Sequence, residues 1–412
     1  MHRLCVALGS AFIAATACAQ ASFRPFGAPQ GATSAGAADV SHDGSVIAGT
    51  VSINGTFRAF RWTQSTGFEL IEPAPGFARS YGRAISADGT IVVGELRTAV
   101  ATDPERPGAA MPGAPMASIF EPGPGVAAWA RSVNADGSVI VGDYSGDEPR
   151  AWRWSGGAPV ALLGLTGQSL PHAARVSGDG QHVVGLSQRT DVKGTIPVRW
   201  LTGPEAQPIK QPEPSEDNSA QAVSHDGSVI VGAGYDFAAS QNILWRWSAA
   251  SGWKPLSGPW GPGRAANFSD LSADGRVGVG TLIEPDPNTG RSVQVAFVWT
   301  RAAGVVRLRD LLAYFGADTQ GWTLKSASAI SGDGRTIVGG GTDSSGVAGS
   351  YVVTIPPVCE ADVDGNWFVN GDDFDRFAAA IEIGDPFADV NFDGIVNGDD
   401  LDLFAAAFVA GC

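Results

Sequence analysis

Basic residues are scarce in this 412-residue chain: 27 Lys and Arg stand against 42 Asp and Glu, a formal charge of −15. Clustered Lys and Arg are what displace counterions from phosphates, so nucleic acid is excluded as the main partner. Cysteines number only four, and charged residues of both signs together make up 17% of the chain. Beyond the N-terminal segment no apolar run reaches the roughly 18 residues that cross a bilayer, so no membrane span is expected. The composition also disfavours helix, because 55 Gly and 26 Pro weaken helix interiors. Apolar residues, by contrast, are plentiful. At 44% hydrophobic the chain can bury a large core, which argues against disorder, and its length allows one large β domain plus a small one.

The N-terminal segment carries Arg3, an apolar stretch from Leu4 to Ala17, and then the small-residue run Ala17-Cys18-Ala19-Gln20-Ala21. It reads as a secretory signal over residues 1–21, with cleavage after Ala19 or Ala21. A lipoprotein would use Cys18, but Ala15 stands three residues before it where Leu is usual. Loss of the segment discards Cys5 and Cys18 and leaves Cys359 and Cys412 in an oxidising compartment, so the protein is expected to be secreted.

A (Ser/Asn)-x-Asp-Gly tetrapeptide recurs seven times, with Asp at 43, 88, 136, 179, 226, 274 and 333. Each Asp is followed six residues later by a Gly: Gly49, Gly94, Gly142, Gly185, Gly232, Gly280 and Gly339. A β-branched stretch such as Ser228-Val229-Ile230-Val231 fills the gap, so Asp-Gly reads as a hairpin turn between two strands. A third strand ends in aromatics, as in Phe60-Arg61-Trp62 and Trp245-Arg246-Trp247, and a fourth follows, as in Gly252-Trp253-Lys254-Pro255-Leu256. Four strands per unit, repeated, predict a mainly β fold over residues 22–355, a seven-bladed β-propeller. The last repeat lacks a fourth strand, and Ser22-Phe23-Arg24-Pro25-Phe26 is expected to supply it and shut the ring. The second repeat is the weakest, with Ile119-Phe120 in place of the aromatic strand. Val306 to Gly316 predicts a short helix.

These units resemble the extracellular HAF-repeat family, on Ala84-Ile85-Ser86-Ala87-Asp88-Gly89 with Val92-Val93-Gly94 and on Gly321-Trp322-Thr323-Leu324 running into Ala329-Ile330-Ser331. The resemblance implies fold and secretion and carries no chemistry. If the Asp-Gly turns share one rim, the variable loops at 95–116, 233–243 and 281–295 share the other, and any binding belongs there. Ser41-His42-Asp43 and Ser224-His225-Asp226 contain the residue types of a nucleophilic triad, but neighbours in one tight turn cannot line up in relay.

After Ile355-Pro356-Pro357 the chain changes character. From Cys359 to Cys412 there are 13 acidic residues and one Arg, so 12 of the 15 net negative charges lie there. The twelve residues Asp362–Asp373 recur in pattern as Asp389–Asp400. Oxygen donors fall at loop positions 1, 3, 5, 9 and 12 (Asp362, Asp364, Asn366, Asn370, Asp373 and Asp389, Asn391, Asp393, Asn397, Asp400) with a main-chain carbonyl at position 7 from Phe368 and Ile395. That spacing wraps oxygens around one point, as a hard cation such as calcium requires, and predicts two bound calcium ions. Position 6 makes the sharp turn; Trp367 there, against Gly394 in the second loop, predicts a weaker first site. Each loop runs into an apolar stripe, Phe374, Phe377, Ala378, Ile381 and Leu401, Phe404, Ala405, Phe408.

A calcium loop followed by one helix, duplicated over 356–412, resembles a type I dockerin, and Cys359 with the terminal Gly411-Cys412 looks like its GC-type variant. The resemblance implies the ligand set just given and a cohesin-like partner on a scaffold or cell surface, while the two remaining cysteines, bracketing both loops in an oxidising compartment, are expected to form a Cys359–Cys412 disulfide. It departs at loop positions 10 and 11, Gly371-Asp372 and Gly398-Asp399, where Ser/Thr is familiar. The reading that results is a secreted, non-catalytic binding or structural propeller tethered by a calcium-dependent module. The rival is a polysaccharide-degrading enzyme, which needs two carboxylates about 5 to 10 Å apart. Asp143, Asp147, Glu148, Asp236, Glu284 and Asp286 lie on the expected rim, and Trp129, Trp260, Trp322, Tyr144 and Tyr235 could stack on sugars.

Overall fold

The computed structural model describes residues 20–145, 151–167, 169–189, 194–210, 217–236, 241–256, 258, 264–287, 289–391 and 395–410. The expected signal lies outside them up to residue 19. Strands dominate, arranged as antiparallel meanders: in one sheet Ala32–Val40, Val46–Ile53, Thr56–Thr63 and Gly67–Ile71 follow one another in space as in sequence. The chain is a β-propeller with three short α-helices among the described residues.

The seven separate blades expected from the repeats are corrected to six hydrogen-bonded sheets among the described residues, five of four strands and one of eight. The eight-stranded sheet spans Ser169–Val176 to Gly252–Pro255. Its cause is a short outer strand. Gln207–Pro208 covers only part of Thr195–Trp200, and Thr195 at the uncovered end pairs in parallel with Asp217 of the following repeat. The Thr195 hydroxyl fixes the join by donating to Asp217 Oδ1 at 2.9 Å and the Asn218 carbonyl at 2.8 Å. An unpaired edge is filled by whatever strand can reach it.

The N-terminal strand Ser22–Phe26 lies antiparallel on Ala348–Thr354, in register from Ser22 opposite Thr354 to Phe26 opposite Ser350. The expectation that this strand shuts the ring is also corrected, because the last and first sheets are joined directly. Ser350 Oγ donates to the Ala35 carbonyl at 3.0 Å and accepts from the Ala37 amide at 3.1 Å. Phe26 packs between the two sheets, with ring centroids 5.1 Å from Trp62 and 5.2 Å from Phe68.

The Asp-Gly turns explain their own sequence. Ser41 Oγ donates to Asp43 Oδ1 at 2.8 Å and accepts from the Val46 amide at 2.9 Å, and the Ser45 amide donates to the same carboxylate at 3.0 Å. Gly44 follows at φ 73°, the left-handed region where a side chain costs energy. The turns are then strung together by main-chain bonds: His42 to Ala87, Ala87 to Ala135, Ala135 to Gly178, Asp179 to His225, His225 to Ala273, Ala273 to Gly332 and Asp333 back to His42, each amide 2.8–3.0 Å from its carbonyl. All seven turns therefore share one rim.

The Gly six residues after each Asp marks a close approach. A Cβ at Gly232 would stand 2.1 Å from the Ser219 carbonyl oxygen and 2.3 Å from the Trp245 ring, and one at Gly142 would stand 1.8 Å from the Trp129 oxygen and 2.5 Å from Trp152. Only hydrogen fits between a bulged inner strand and a fully buried aromatic. The aromatics Phe60, Trp152, Trp245, Phe297 and Tyr351 are correspondingly 0% exposed.

In the second repeat the third strand is Arg106–Ala110, not Ile119-Phe120. Gly108 replaces the aromatic, buried Met116 fills the space beside it, and Phe120 instead packs edge-on to Trp152 of the next sheet, 5.0 Å between centroids. The predicted short helix is α1, Leu308–Tyr314.

Beyond Thr354 the chain forms α2 (Gly371–Glu382) and α3 (Gly398–Ala410). Their buried faces meet in Phe377 and Phe404, stacked with centroids 4.0 Å apart, over Ala361, Val363, Ala388 and Val390. The outer ends of the predicted stripes stay in solvent: Phe374 is 50% and Leu401 44% exposed.

Candidate metal centre and propeller rims

The first acidic loop is organised before any ligand is considered. Asn370 caps α2 by accepting from the Asp372 amide at 2.7 Å, and Asp373 reaches back to the Asn370 amide at 2.9 Å, a reciprocal capping box. Asp373 is fully buried, and its other oxygen accepts from the Val363 and Asp364 amides at 2.8 and 3.1 Å. Of its roughly four lone-pair sites three are thus used, leaving one on Oδ2. Asp364 accepts from the Asn366 amide at 2.9 Å and from its side chain at 2.6 Å, and Asn366 Oδ1 accepts from the Phe368 amide at 2.8 Å.

Asp362 is the exception in this network. Its Oδ2 accepts from the Trp367 amide at 2.9 Å, but its Oδ1, on a residue only 7% exposed, has no hydrogen-bond partner. Burial pushes its carboxyl up to about 6, with the charges of Asp373 and Asp364 adding to the effect. Ligand oxygens of Asp362, Asp364 and Asp373 all lie within 4.8 Å of one another, and among the described residues this is the one such group of three or more. The Phe368 side chain is 42% exposed, as suits a residue whose expected contribution is its carbonyl. Trp367 at position 6 is left-handed, φ 67°, as the sharp turn demands, with Gly365 also left-handed at φ 76°.

The second loop repeats the frame where it is described. Asp400 is fully buried and accepts from the Asn391 amide at 3.2 Å and the Asn397 amide at 3.0 Å, while Asn397 accepts from the Asp399 amide at 2.5 Å. Asp389 is 7% exposed and Ile395 62%. Asp393 lies outside the described residues. Cys359 is disulfide-bonded, and its expected partner Cys412 lies outside the described residues too.

Among the described residues, the propeller rim opposite the Asp-Gly turns does not bring together a pair of free acids. Asp143 is buried against Arg131, sits 3.7 Å from His172 and accepts from the Ala173 amide at 3.1 Å. Glu284 is held by Arg264 at 3.2 Å and Arg307 at 2.9 Å. Glu95, which the sequence did not single out, is likewise locked between Arg83 and Arg97, both at 3.1 Å. Asp286 accepts from the Thr289 amide of its own turn at 3.1 Å. Asp147, Glu148 and Trp260 lie outside the described residues, as does the side chain of Asp236. Of the candidate stacking aromatics all four described are half-buried, and Trp322 packs against the core 6.0 Å from Phe23 and Tyr144 6.0 Å from Phe120. The triad reading of Ser41 and Ser224 fails on geometry, since each hydroxyl donates to its Asp at 2.8 Å while the His42 and His225 rings lie over Gly332 and Gly178 of the neighbouring repeats.

Inside the Asp-Gly rim, Arg175 spans the channel between Asp39 at 3.9 Å and Asp270 at 3.6 Å, donating also to the Ser269 carbonyl at 2.9 Å. Each aspartate in turn accepts a main-chain amide of the next repeat, Ile85 at 2.9 Å and Ile330 at 3.1 Å. Burial pushes Asp39 up to about 6, against the opposing pull of Arg175, and raises Asp270 as well. The sequence gives no sign of this triad, because the three residues come from repeats far apart in the chain.

The fold is that of known propellers. An oligogalacturonate lyase from Vibrio parahaemolyticus superposes with a TM-score of 0.56 at 12% identity, over 82% of this chain and 97% of that one. An oligogalacturonate lyase in complex with manganese gives 0.54 at 13%, over 81% and 93%. The β-propeller domain of the Trilobed protease from Pyrococcus furiosus, described as having an open velcro topology, gives 0.54 at 11%, over 78% and 95%. At such identities the likeness defines a β-propeller and neither a blade number, a mode of closure nor an activity. No family model and no curated protein matches the chain.

Proposed function

We propose that this chain is a binding or structural propeller that works outside the cytoplasm and is tethered to a surface or extracellular complex through its C-terminal module, which takes two calcium ions. The observation that carries the reading is the buried, unpartnered Asp362 Oδ1 beside Asp364 and Asp373. A buried carboxylate oxygen without a donor costs free energy, and an all-oxygen set around it suits a hard cation. Asp362, Asp364, Asn366, Asn370, Asp373 and the Phe368 carbonyl would hold one ion; Asp389, Asn391, Asp393, Asn397, Asp400 and the Ile395 carbonyl the other. Bound calcium would supply positive charge that lets these acids stay ionised while packed.

The partner surface in this reading is the outer face of α2 and α3, where Phe374 and Leu401 stand in solvent, and the resemblance to dockerins points to a cohesin-like protein. The non-catalytic role of the propeller is supported by Asp143 and Glu284, which are committed to arginines and so are poorly placed to exchange protons. The second reading, a polysaccharide-acting enzyme, has in its favour the shared fold with two oligogalacturonate lyases. Calorimetric titration of the full chain with calcium should give two ions per chain, and Asp362→Asn should lose one. A flat titration would remove the tether. Cleavage of polygalacturonate by the purified chain would replace the non-catalytic reading with the enzymatic one.

A further inference from the structure

The first acidic loop has two sides, and only the inner one is used by the reading above. Its outer side, positions 4 to 7, rests on the propeller. Gly365 lies so close to the hairpin after Ser292–Thr300 that a Cβ there would stand 2.5 Å from the Ala302 carbonyl carbon. The Asn366 carbonyl accepts from the Tyr314 hydroxyl at 2.9 Å. Trp367 meets Phe315 edge-on with centroids 5.8 Å apart and packs against the core that contains Leu308, Leu311 and Tyr351. Phe368 lies 6.1 Å from Tyr314. The same hairpin reaches the second loop, where Arg301 donates to the Asp389 carbonyl and sits 5.8 Å over the Phe387 ring, and Arg276 pairs with Glu360 just upstream.

We propose that positions 4 to 7 of the first loop form a docking surface for the propeller, and that docking and cation binding in that loop reinforce each other. The inference rests on the calcium reading, and its physical basis is that both events need the same loop conformation. Three carboxylates within 4.8 Å repel one another unless a cation lies between them. The turn through left-handed Gly365 and Trp367 that brings those carboxylates together is the turn that presents Asn366, Trp367 and Phe368 to α1. Docking holds the loop closed and lowers the ordering cost that the ion must otherwise meet; by reciprocity the ion strengthens docking by the same factor. The packing of Trp367 on Phe315 also offsets its left-handed strain, so the disadvantage of lacking Gly at position 6 shrinks once the module is docked.

The test uses the full chain and two variants, Tyr314→Ala and Tyr314→Ala with Arg301→Ala. Tyr314 is 56% exposed, so its truncation leaves the propeller core in place. Terbium, a hard cation that replaces calcium, is titrated with luminescence sensitised through Trp367, which lies in the first loop alone. The single variant should bind about threefold more weakly and the double variant about tenfold, as expected for losing one hydrogen bond and one ring contact and then a charge-assisted bond as well. At saturating calcium the double variant should keep the helical circular dichroism of the parent while its radius of gyration by X-ray scattering increases. Midpoints equal to the parent's in both variants would overturn the coupling while leaving the calcium reading intact. A parent chain that binds neither terbium nor calcium would instead overturn the calcium reading, and the coupling with it.

Discussion

The two halves of the molecule solve the same problem, burial of acids, in opposite ways. In the propeller the buried acids among the described residues find donors within the protein: Asp39 and Asp270 share Arg175, Asp143 has Arg131, Glu284 has Arg264 and Arg307, and Glu95 has Arg83 and Arg97. In the C-terminal module Asp362 keeps a buried oxygen with no donor, and 13 acids share one Arg from Cys359 onward. An acid that is paired within the protein needs nothing from outside, whereas a buried carboxylate oxygen left open calls for something brought to it.

The largest difference should appear on chelation. If the module takes calcium as proposed, stripping it from the full chain should abolish the helical signal of α2 and α3, since Asp373 and Asp400 in their first turns would be the last ligands of the two loops, while the propeller stays folded and its melting falls only by what the docked loop contributes. Circular dichroism with and without chelator, followed through heating, makes the comparison; a module that keeps its helices when stripped would place it with the self-satisfied half.

Within the propeller, the junction of first and last sheets is the sharpest point. Phe26, 6% exposed, is in ring contact with Phe60, Trp62 and Phe68. Truncation to Ala should cost about 3 to 5 kcal/mol, the usual range for a buried Phe, with the calcium sites unaffected. Denaturant unfolding measures it, and a loss below about 1 kcal/mol would mean that the N-terminal strand is dispensable to that junction.

A smaller effect belongs to the channel triad. The Asp39 carboxyl, raised from 3.8 to about 6 chiefly by burial, holds its proton in the folded chain over a range where the unfolded chain has already lost it. The sign follows: this group's contribution to stability is greatest below about pH 4 and declines as pH rises through 6. Asp39→Asn should flatten that part of the stability profile. An unchanged slope between pH 4 and 6 in the variant would assign the dependence to another group.

Repetition made much of this molecule legible in its sequence. Asp-Gly turns and the Gly six residues on recur in every unit, and a buried aromatic opposite that Gly in five of the seven, because each meets a local steric demand, and a demand met locally is written locally. The sharp turn at position 6, left-handed at Trp367, was legible for the same reason. The strand-to-strand spacing could not show that Gln207–Pro208 is too short to cover its neighbour, so that two repeats run together in one sheet. Nor could it place Arg175 between Asp39 and Asp270, or Tyr314 and Phe315 against the first acidic loop. Those contacts join residues separated by tens to hundreds of positions and carry no period. The sequence by itself determined which strands, turns and acidic loops form, because their geometry is set within a dozen residues by hydrogen bonds and steric exclusion. The tertiary structure alone decided which acids are neutralised from within, which one is left open, and that the loop holding it leans on the propeller, because those outcomes depend on charges and surfaces that meet only when the whole chain has folded.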